Sequence, residues 1–409
     1  MNVLFCSFDS PGHLFPLAGL ALELRARGHA VAFVTGLPAV ETLGAAGLER
    51  IPRSPTADRD SFRVNTHHHP LAIAIDVAHV EHAIGRFHPD VLVTHQLCHA
   101  PLLVRERRGI PVAVMGLFSF LWHWPPYAAA APSPLEPMRR WRVESDTRIV
   151  NQAREHFRLP PFPVDAPELP FLGDLFMLRS VPELLPGLAA LPPQVHPVGA
   201  CQWEPPAPEG AWEALRARFA RPDAPLVYVQ HGRTFGGPGF WAELAEALDG
   251  QPLQVVASVG RMDQEVGRVP ENFAVLDHVP QGVAMPHARA VVSGGHSTVV
   301  LGALSHGLPG VVVPTGGETP DNAETLVEAG CAVRLGTAEL APGPFRAAVD
   351  DALGDAALAR ACRGVQRALA RSRPFDRAAA LVERLAAAGA RVERAPEPEA
   401  AFAAASAGG

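Results

Sequence analysis

MNVLFCSFDSPGHLFPLAGLALELRARGHAVAFVTG, residues 1–36, decides the architecture. NVLFCSF (2–8) is an apolar run of strand length, and Ser10-Pro11-Gly12 reads as a turn. His13 then opens a stretch with apolar residues at 14, 17, 20, 21 and 24, which is helical spacing. The pattern stops at Arg27-Gly28, a C-terminal helix signal, and HAVAFVTG (29–36) is a second strand-length run. PAVETLGAAG (38–47) reads as the next helix and LERIP (48–52) as a short third strand. Such β-α-β-α-β alternation predicts a parallel sheet with helices on both faces. Ligands of such sheets bind beyond the carboxyl ends of the strands, and His13 stands where one strand stops and a helix starts.

Working outward, 53–70 reads as a variable loop holding the triplet His67, His68 and His69. LAIAIDVAHVEHAIGRF (71–87) is a helix, DVLVTH (90–95) a buried strand, APLLVRERRG (100–109) a helix and IPVAVMG (110–116) another strand. From Leu117 to about residue 152 the chain is aromatic, Pro-rich and irregular, with Phe118, Phe120, Trp122, Trp124, Tyr127 and Trp141. That composition suits a pocket wall or lid, and equally the ordinary packing of a long excursion. A Pro-rich segment follows, and the interdomain linker is placed at 200–208. The strand pattern then restarts with PLVYVQHG (225–232), LQVVASVG (253–260), FAVLDHV (273–279), AVVSGG (290–295) and GVVVPT (310–315), separated by helix or loop. RAAALVERLAAAGARVE (377–393) reads as a terminal helix, and the low-complexity end as a disordered tail.

The fold class is therefore α/β: two doubly wound parallel-sheet, Rossmann-like domains facing each other across a cleft. The boundaries are set at 1–205 and 206–380, with a C-terminal helix at 381–395 able to pack back on the first domain and a tail at 396–409. A chain of 409 residues is long for one core, in keeping with two domains. Lys plus Arg is 35 against 42 for Asp plus Glu, with no basic run interleaved with aromatics, so a nucleic-acid partner is not expected. No apolar stretch reaches the roughly 18 residues of a membrane span, and no signal peptide is read. Five widely spaced cysteines without a CxxC pattern point to a reduced, cytoplasmic protein; a monomer or homodimer is expected.

In AVVSGGHSTVVLGALSHGLPGVVVPTGGETPDNAE (290–324) a strand ends in Ser293-Gly294-Gly295 and a helix begins at His296-Ser297-Thr298. Glycines let the backbone approach a ligand, and hydroxyls with free helix N–H groups bind oxyanions, so a diphosphate is the expected guest; a capped helix after a tight turn is the plain alternative. After the next strand, Glu318, Thr319, Asp321 and Asn322 could hold sugar hydroxyls, or could cap a helix. His79 and His82 stand at helical spacing, yet without cysteine or carboxylate partners at fitting spacing they read as a helix face and the 67–69 triplet as a loop, and no metal is expected.

GHLFP (12–16), HPDVLVTH (88–95), PLVYVQHGR (225–233), DHVPQ (277–281), SGGHST (293–298) and HGLPGVVVPTGGETPDNA (306–323) follow one another in an order and spacing that resemble the nucleotide-sugar-dependent glycosyltransferases of the two-Rossmann (GT-B) type, especially bacterial natural-product enzymes. The resemblance covers nearly the whole chain. It implies an inverting transfer of sugar from a dTDP- or UDP-sugar co-substrate to a hydroxyl or amine of an apolar small molecule, without metal or resident cofactor. His13 would be the general base. His278, Val279 and Gln281 would flank the nucleobase, Gly232 and Arg233 the phosphates with Ser293–Thr298, and Glu318 and Thr319 the donor sugar. The acceptor would lie against Phe118, Phe120, Trp122, Trp124 and Tyr127.

The chain departs from that family at several places. The Asp that orients the catalytic histidine is here His95, and Asp9 is another acid close by in sequence. Ser293 replaces the diphosphate histidine, although one extra residue in 293–309 offers His296 for that role. Leu301 or Gly302 stands in place of the ribose-binding Glu, and Glu318-Thr319 in place of Asp-Gln. Two other readings therefore stay open: a degenerate GT-B protein acting as a noncatalytic partner, and a sugar-nucleotide epimerase or hydrolase.

Overall fold

The computed structural model describes residues 1–54, 61–163, 168–232, 239–260 and 267–395. Near-continuous apolar runs make strands buried on both faces, as parallel sheets require. The first sheet comprises β1 (Asn2–Ser7), β2 (Ala30–Thr35), β3 (Glu49–Arg50), β4 (Val91–His95), β5 (Val112–Met115), β6 (Leu175–Leu178) and β7 (Val195–Pro197). Their order is β3-β2-β1-β4-β5-β6-β7, and all pairs are parallel. The second sheet comprises β8 (Leu226–Gln230), β9 (Gln254–Ser258), β10 (Phe273–Leu276), β11 (Ala288–Ser293), β12 (Gly310–Val312) and β13 (Ala332–Arg334). Its order is β10-β9-β8-β11-β12-β13, again parallel throughout. Strand order reverses between β1 and β4 in one sheet and between β8 and β11 in the other, so each sheet has its own ligand crevice.

Helices cover both faces. Those of the first half are α1 (Pro11–Ala26), α2 (Val40–Ala45), α3 (Pro70–Phe87), α4 (Ala100–Arg108), α5 (Pro125–Ala130) and α6 (Glu136–Glu155). Those of the second are α7 (Ala211–Arg216), α8 (Phe240–Leu248), α9 (Gln281–Ala284), α10 (Ser297–Ser305), α11 (Thr319–Glu328), α12 (Pro342–Gly354), α13 (Ala356–Arg371) and α14 (Pro374–Ala388). α14 leaves the second sheet and packs on α1, its Ala378, Leu381, Val382 and Leu385 joining the core formed by Leu17, Leu20, Leu24 and the β1–β4 strands.

The region 117–152, read as irregular, holds the 20-residue helix α6. Its buried face is made of Arg139, Thr147, Val150, Ala153 and Arg154, so charged and polar residues occupy positions where an apolar stripe would have announced a helix. α6 also bridges the two halves. Arg139 Nε and Arg142 Nη1 reach the fully buried Asp321 of α11 at 2.8 and 2.7 Å, and Arg142 Nη2 donates to Gly317 O at 2.6 Å. The strands β6, β7 and β13 carry only three or four residues each, too few to register as periodic segments. The tail at 396–409 lies outside the described residues.

Candidate active site

Both crevices open where the sequence reading expected chemistry. At the first, Ser10 is the N-cap of α1, but its hydroxyl does not cap the helix; it pairs with His13 Nδ1 at 2.7 Å. The His13 and Leu14 amides of the first turn donate to Ser10 O at 3.0 and 2.9 Å, and the positive helix end beside the ring disfavours imidazolium. Burial, with His67, Arg179 and His296 nearby, pushes the His13 pKa down to about 3. Burial therefore favours the neutral imidazole of His13 at neutral pH.

His95 does not replace the orienting aspartate. Its ring lies 4.4 Å from that of His13, tilted by 46°, without a hydrogen bond between them. Its Nε2 faces the Phe8 N–H and its Nδ1 the Leu97 N–H, each at 3.3 Å. A neutral imidazole has one N–H and one acceptor nitrogen, so one of these amides is accepted, and two facing N–H groups oppose a second proton on the ring. Burial pushes the His95 pKa well down in the same direction. Ser10, legible in sequence only as part of a turn, supplies the hydrogen bond to His13 Nδ1. Serine three residues before histidine at a helix start was the available signal.

At the second crevice, Gly232 follows β8 with φ +111°, and a Cβ there would collide with the His296 imidazole. Glycine is the residue that permits both the backbone and the close approach. His231 stacks on Phe240, ring centroids 3.8 Å apart. Arg233 lies outside the described residues.

The two halves meet at a cavity of about 390 Å³. Phe15 and Pro16 of α1 form one wall, and Pro280, Gln281 and Val283 with Thr298 and Gly302 the other. The linker closes its floor: Gln202 Nε2 donates to Thr298 O at 2.7 Å, and the Glu204 carboxylate accepts from the Gln281 and Gly282 amides at 3.3 and 3.0 Å. Trp203 meets Phe15 edge-on at 5.6 Å. The Gly302 position has no room for a side chain, because a Cβ would strike Gln281 Oε1 and the Met285 thioether. Gln281, held by Gln230 at 2.8 Å, thus occupies the space that a ribose-binding Glu would need.

Several expected site residues have other duties. Phe118, Phe120, Trp122 and Tyr127 are buried, and Trp124 packs against the same interior, so this segment is core and not an acceptor-facing wall. Trp122 stacks on Phe171 at 5.4 Å and donates its indole N–H to Asp146 at 2.9 Å, which leaves neither face nor edge for a ligand. Thr319 is buried; its Oγ1 staples the 315–316 turn, accepting from the Thr315 amide and donating to Gly316 O. Glu318 reaches back to α10, accepting from Ser297 N at 2.9 Å and Ser297 Oγ at 2.6 Å. The helix end expected to hold a diphosphate is therefore partnered by a carboxylate of the chain itself. Ser297 Oγ also accepts from the Phe118 N–H at 2.9 Å, joining the two halves. Ser293 accepts from the Gly295 amide, and Gly294 packs on the His231 carbonyl. Val279 is buried, and His278 is exposed and outside the cavity. Among the described residues no group of three or more His, Cys, Asp or Glu is placed to hold a metal.

Comparison with known proteins agrees with this architecture. Residues 243–384 match the erythromycin biosynthesis protein CIII-like C-terminal domain. The chain is 27% identical over 361 residues to the elloramycin glycosyltransferase ElmGT of Streptomyces olivaceus, covering 81% of this chain and 85% of that one. It is 24% identical over 396 residues to the 3-alpha-mycarosylerythronolide B desosaminyl transferase of Saccharopolyspora erythraea, covering 87% and 91%. Among solved structures, the calicheamicin glycosyltransferase CalG4 superposes with a TM-score of 0.70 at 25% identity, over 94% of this chain and 97% of that one. With two parallel sheets of seven and six strands, a crevice at each switch point and these relatives along most of its length, the chain is a glycosyltransferase of the GT-B fold, similar to those of natural-product biosynthesis and with an EryCIII-like match in its C-terminal half.

Proposed function

We propose that the protein moves a sugar, with inversion, from a dTDP- or UDP-sugar to a hydroxyl or amine of an apolar acceptor, and that His13 is the general base. The observation that carries this reading is the cavity between the halves. Gln281, Thr298 and Gly302 of the second half meet Phe15 and Pro16 there, one turn along the helix that His13 opens. The nucleoside diphosphate lies on the second half and the acceptor on the side of His13. Arg233 remains the phosphate residue expected of the second half.

The Ser10 contact decides which tautomer is competent. When Nδ1–H donates to Ser10 Oγ, Nε2 keeps the lone pair that can take a proton. The acceptor oxygen bonds to the anomeric carbon, the bond from that carbon to the diphosphate breaks, and the diphosphate leaves with the electron pair. The acceptor proton goes to Nε2. A base held near 3 is weak toward a free hydroxyl. It is strong enough once the oxygen has begun to bond to carbon and become acidic, so proton transfer comes late. Closure of the two halves excludes the water that would otherwise hydrolyse the donor.

Calorimetry with dTDP and with UDP tests the donor half of this reading. Micromolar binding of one of them is the expected result, and it names the base. Binding of neither overturns the donor assignment and favours a noncatalytic role. For the base, His13→Ala is expected to lower transfer to a hydroxylated apolar acceptor by about 100-fold or more while nucleotide affinity holds; transfer at the wild-type rate refutes it.

A further inference from the structure

Three arginines are buried among the described residues: Arg139, Arg154 and Arg179. The first two face carboxylates, Arg139 on Asp321 and Glu324, Arg154 on Glu106. Arg179 has none. It directly follows β6, is 1% exposed, and spends one bond, Nε to Ala200 O at 2.9 Å; its two terminal nitrogens have no hydrogen-bond partner among the described residues. Burial pushes its pKa down to about 10, which leaves it a cation at neutral pH. Packing alone has no use for such a group, since an apolar side chain of similar length fills space without desolvating a charge. Arg179 lines the interdomain cavity together with Gln281 and Thr298, and it acts electrostatically on both His13 and Glu318.

The other source of positive potential in the cavity, the α10 N-terminus, is already partnered by Glu318. A dianionic ligand entering here needs a cation, and the described residues lining the cavity offer one arginine. We infer that Arg179 is the anion anchor contributed by the N-terminal half, forking onto the diphosphate of the bound nucleotide from across the cleft. This rests on the reading of the cavity as the nucleotide site. A guanidinium matches two phosphate oxygens at once, and ligand charge replaces the carboxylate that the fold omits. The bound diphosphate then holds the two halves together, and its negative charge beside His13 favours the proton that His13 takes up.

The test is calorimetry of dTDP, thymidine and inorganic pyrophosphate (UDP and uridine where UDP is the nucleotide bound) on wild type, Arg179→Met and Arg179→Gln. Both variants are expected to weaken dTDP and pyrophosphate by about 10- to 100-fold and to leave thymidine within about twofold. The ligand-free Met variant is expected to melt no lower than wild type, because it loses an unpaired buried charge. Unchanged dTDP affinity in either folded variant overturns the proposal. So does an equal loss of thymidine and dTDP, which a purely structural role would produce. If Met does not fold, the Gln variant, which keeps a donor for Ala200, decides alone. Wild-type protein that binds no nucleotide refutes the donor reading itself, a result distinct from variants that bind as wild type does.

Discussion

Replacing Asp321 with Asn removes one charge and almost no volume, at the point where the halves are tied. Asp321 is fully buried and holds Arg139 and Arg142 at 2.8 and 2.7 Å; the two arginine side chains are 7% and 11% exposed. In the variant Arg139 keeps Glu324 at 3.0 Å, while Arg142 is left with the carbonyls of Leu121 and Gly317 and no carboxylate among the described residues. Removing one partner of a buried pair costs about 3–5 kcal/mol, because the remaining charge stays desolvated. At roughly 2–4 °C per kcal/mol for large domains, that is a fall in melting temperature on the order of 10 °C. The loss also reaches the site, since Arg142 holds Gly317 O beside Glu318 and α11 begins at Thr319. Guanidinium denaturation and thermal scans, with donor KM alongside, are the measurements. Asp321→Leu with Arg139→Met and Arg142→Met is expected to return most of the stability, as apolar replacement of buried ion clusters does. An Asn variant that melts within about 1 °C of wild type refutes the reasoning, because the cluster would then behave as surface pairs do.

Gly232→Ala forces a side chain onto a backbone at φ +111° and into the His296 ring, so a loss of about 2 kcal/mol and weaker nucleotide binding are expected from urea titration and calorimetry; wild-type behaviour in both would show that the ring yields freely. Gly302→Glu, which restores the residue type usual for ribose binding, is expected to weaken nucleotide binding, and adding Gln281→Ala to relieve the collision; tighter binding by the single variant would show that Gln281 moves aside. Acid stability follows from four histidines that burial pushes down: His13 and His99 to about 3, His196 and His231 to about 4. The unfolded chain protonates them near 6.5 and the native chain does not, so stability is lost as pH falls from about 6.5 toward 4. Asp76 and Asp146, pushed up to about 7 and about 6, and Glu328, also pushed up, work in the opposite direction but are outnumbered by the histidines, since burial pushes His67, His95 and His296 down as well. The guanidinium midpoint should therefore drop between pH 7 and pH 5, and a flat or rising midpoint contradicts the burial of these rings.

Strands such as NVLFCS, AVAFVT and VLVTH are legible because a parallel strand covered on both faces must be apolar at every position. The same logic exposed β8, β9 and β11 and, with them, both crevices. It failed for α6, whose buried arginines make sense only against Asp321 and Glu324 some 180 residues away. Composition could not separate a pocket wall from a core wall either, since Phe118, Phe120 and Trp122 satisfy both descriptions until their neighbours are known. Local periodicity and turn chemistry were enough for two parallel sheets, for His13 at a strand-to-helix junction and for the glycines around 232 and 294–295, because each depends on residues within a few positions. Which acid, amide or cation faces those residues depends on contacts between distant segments. The folded chain alone put backbone amides on His95, a carboxylate on the α10 N-terminus and Arg179 on the cavity, because hydrogen bonding and desolvation act between atoms that are close in space, however far apart they stand in the chain.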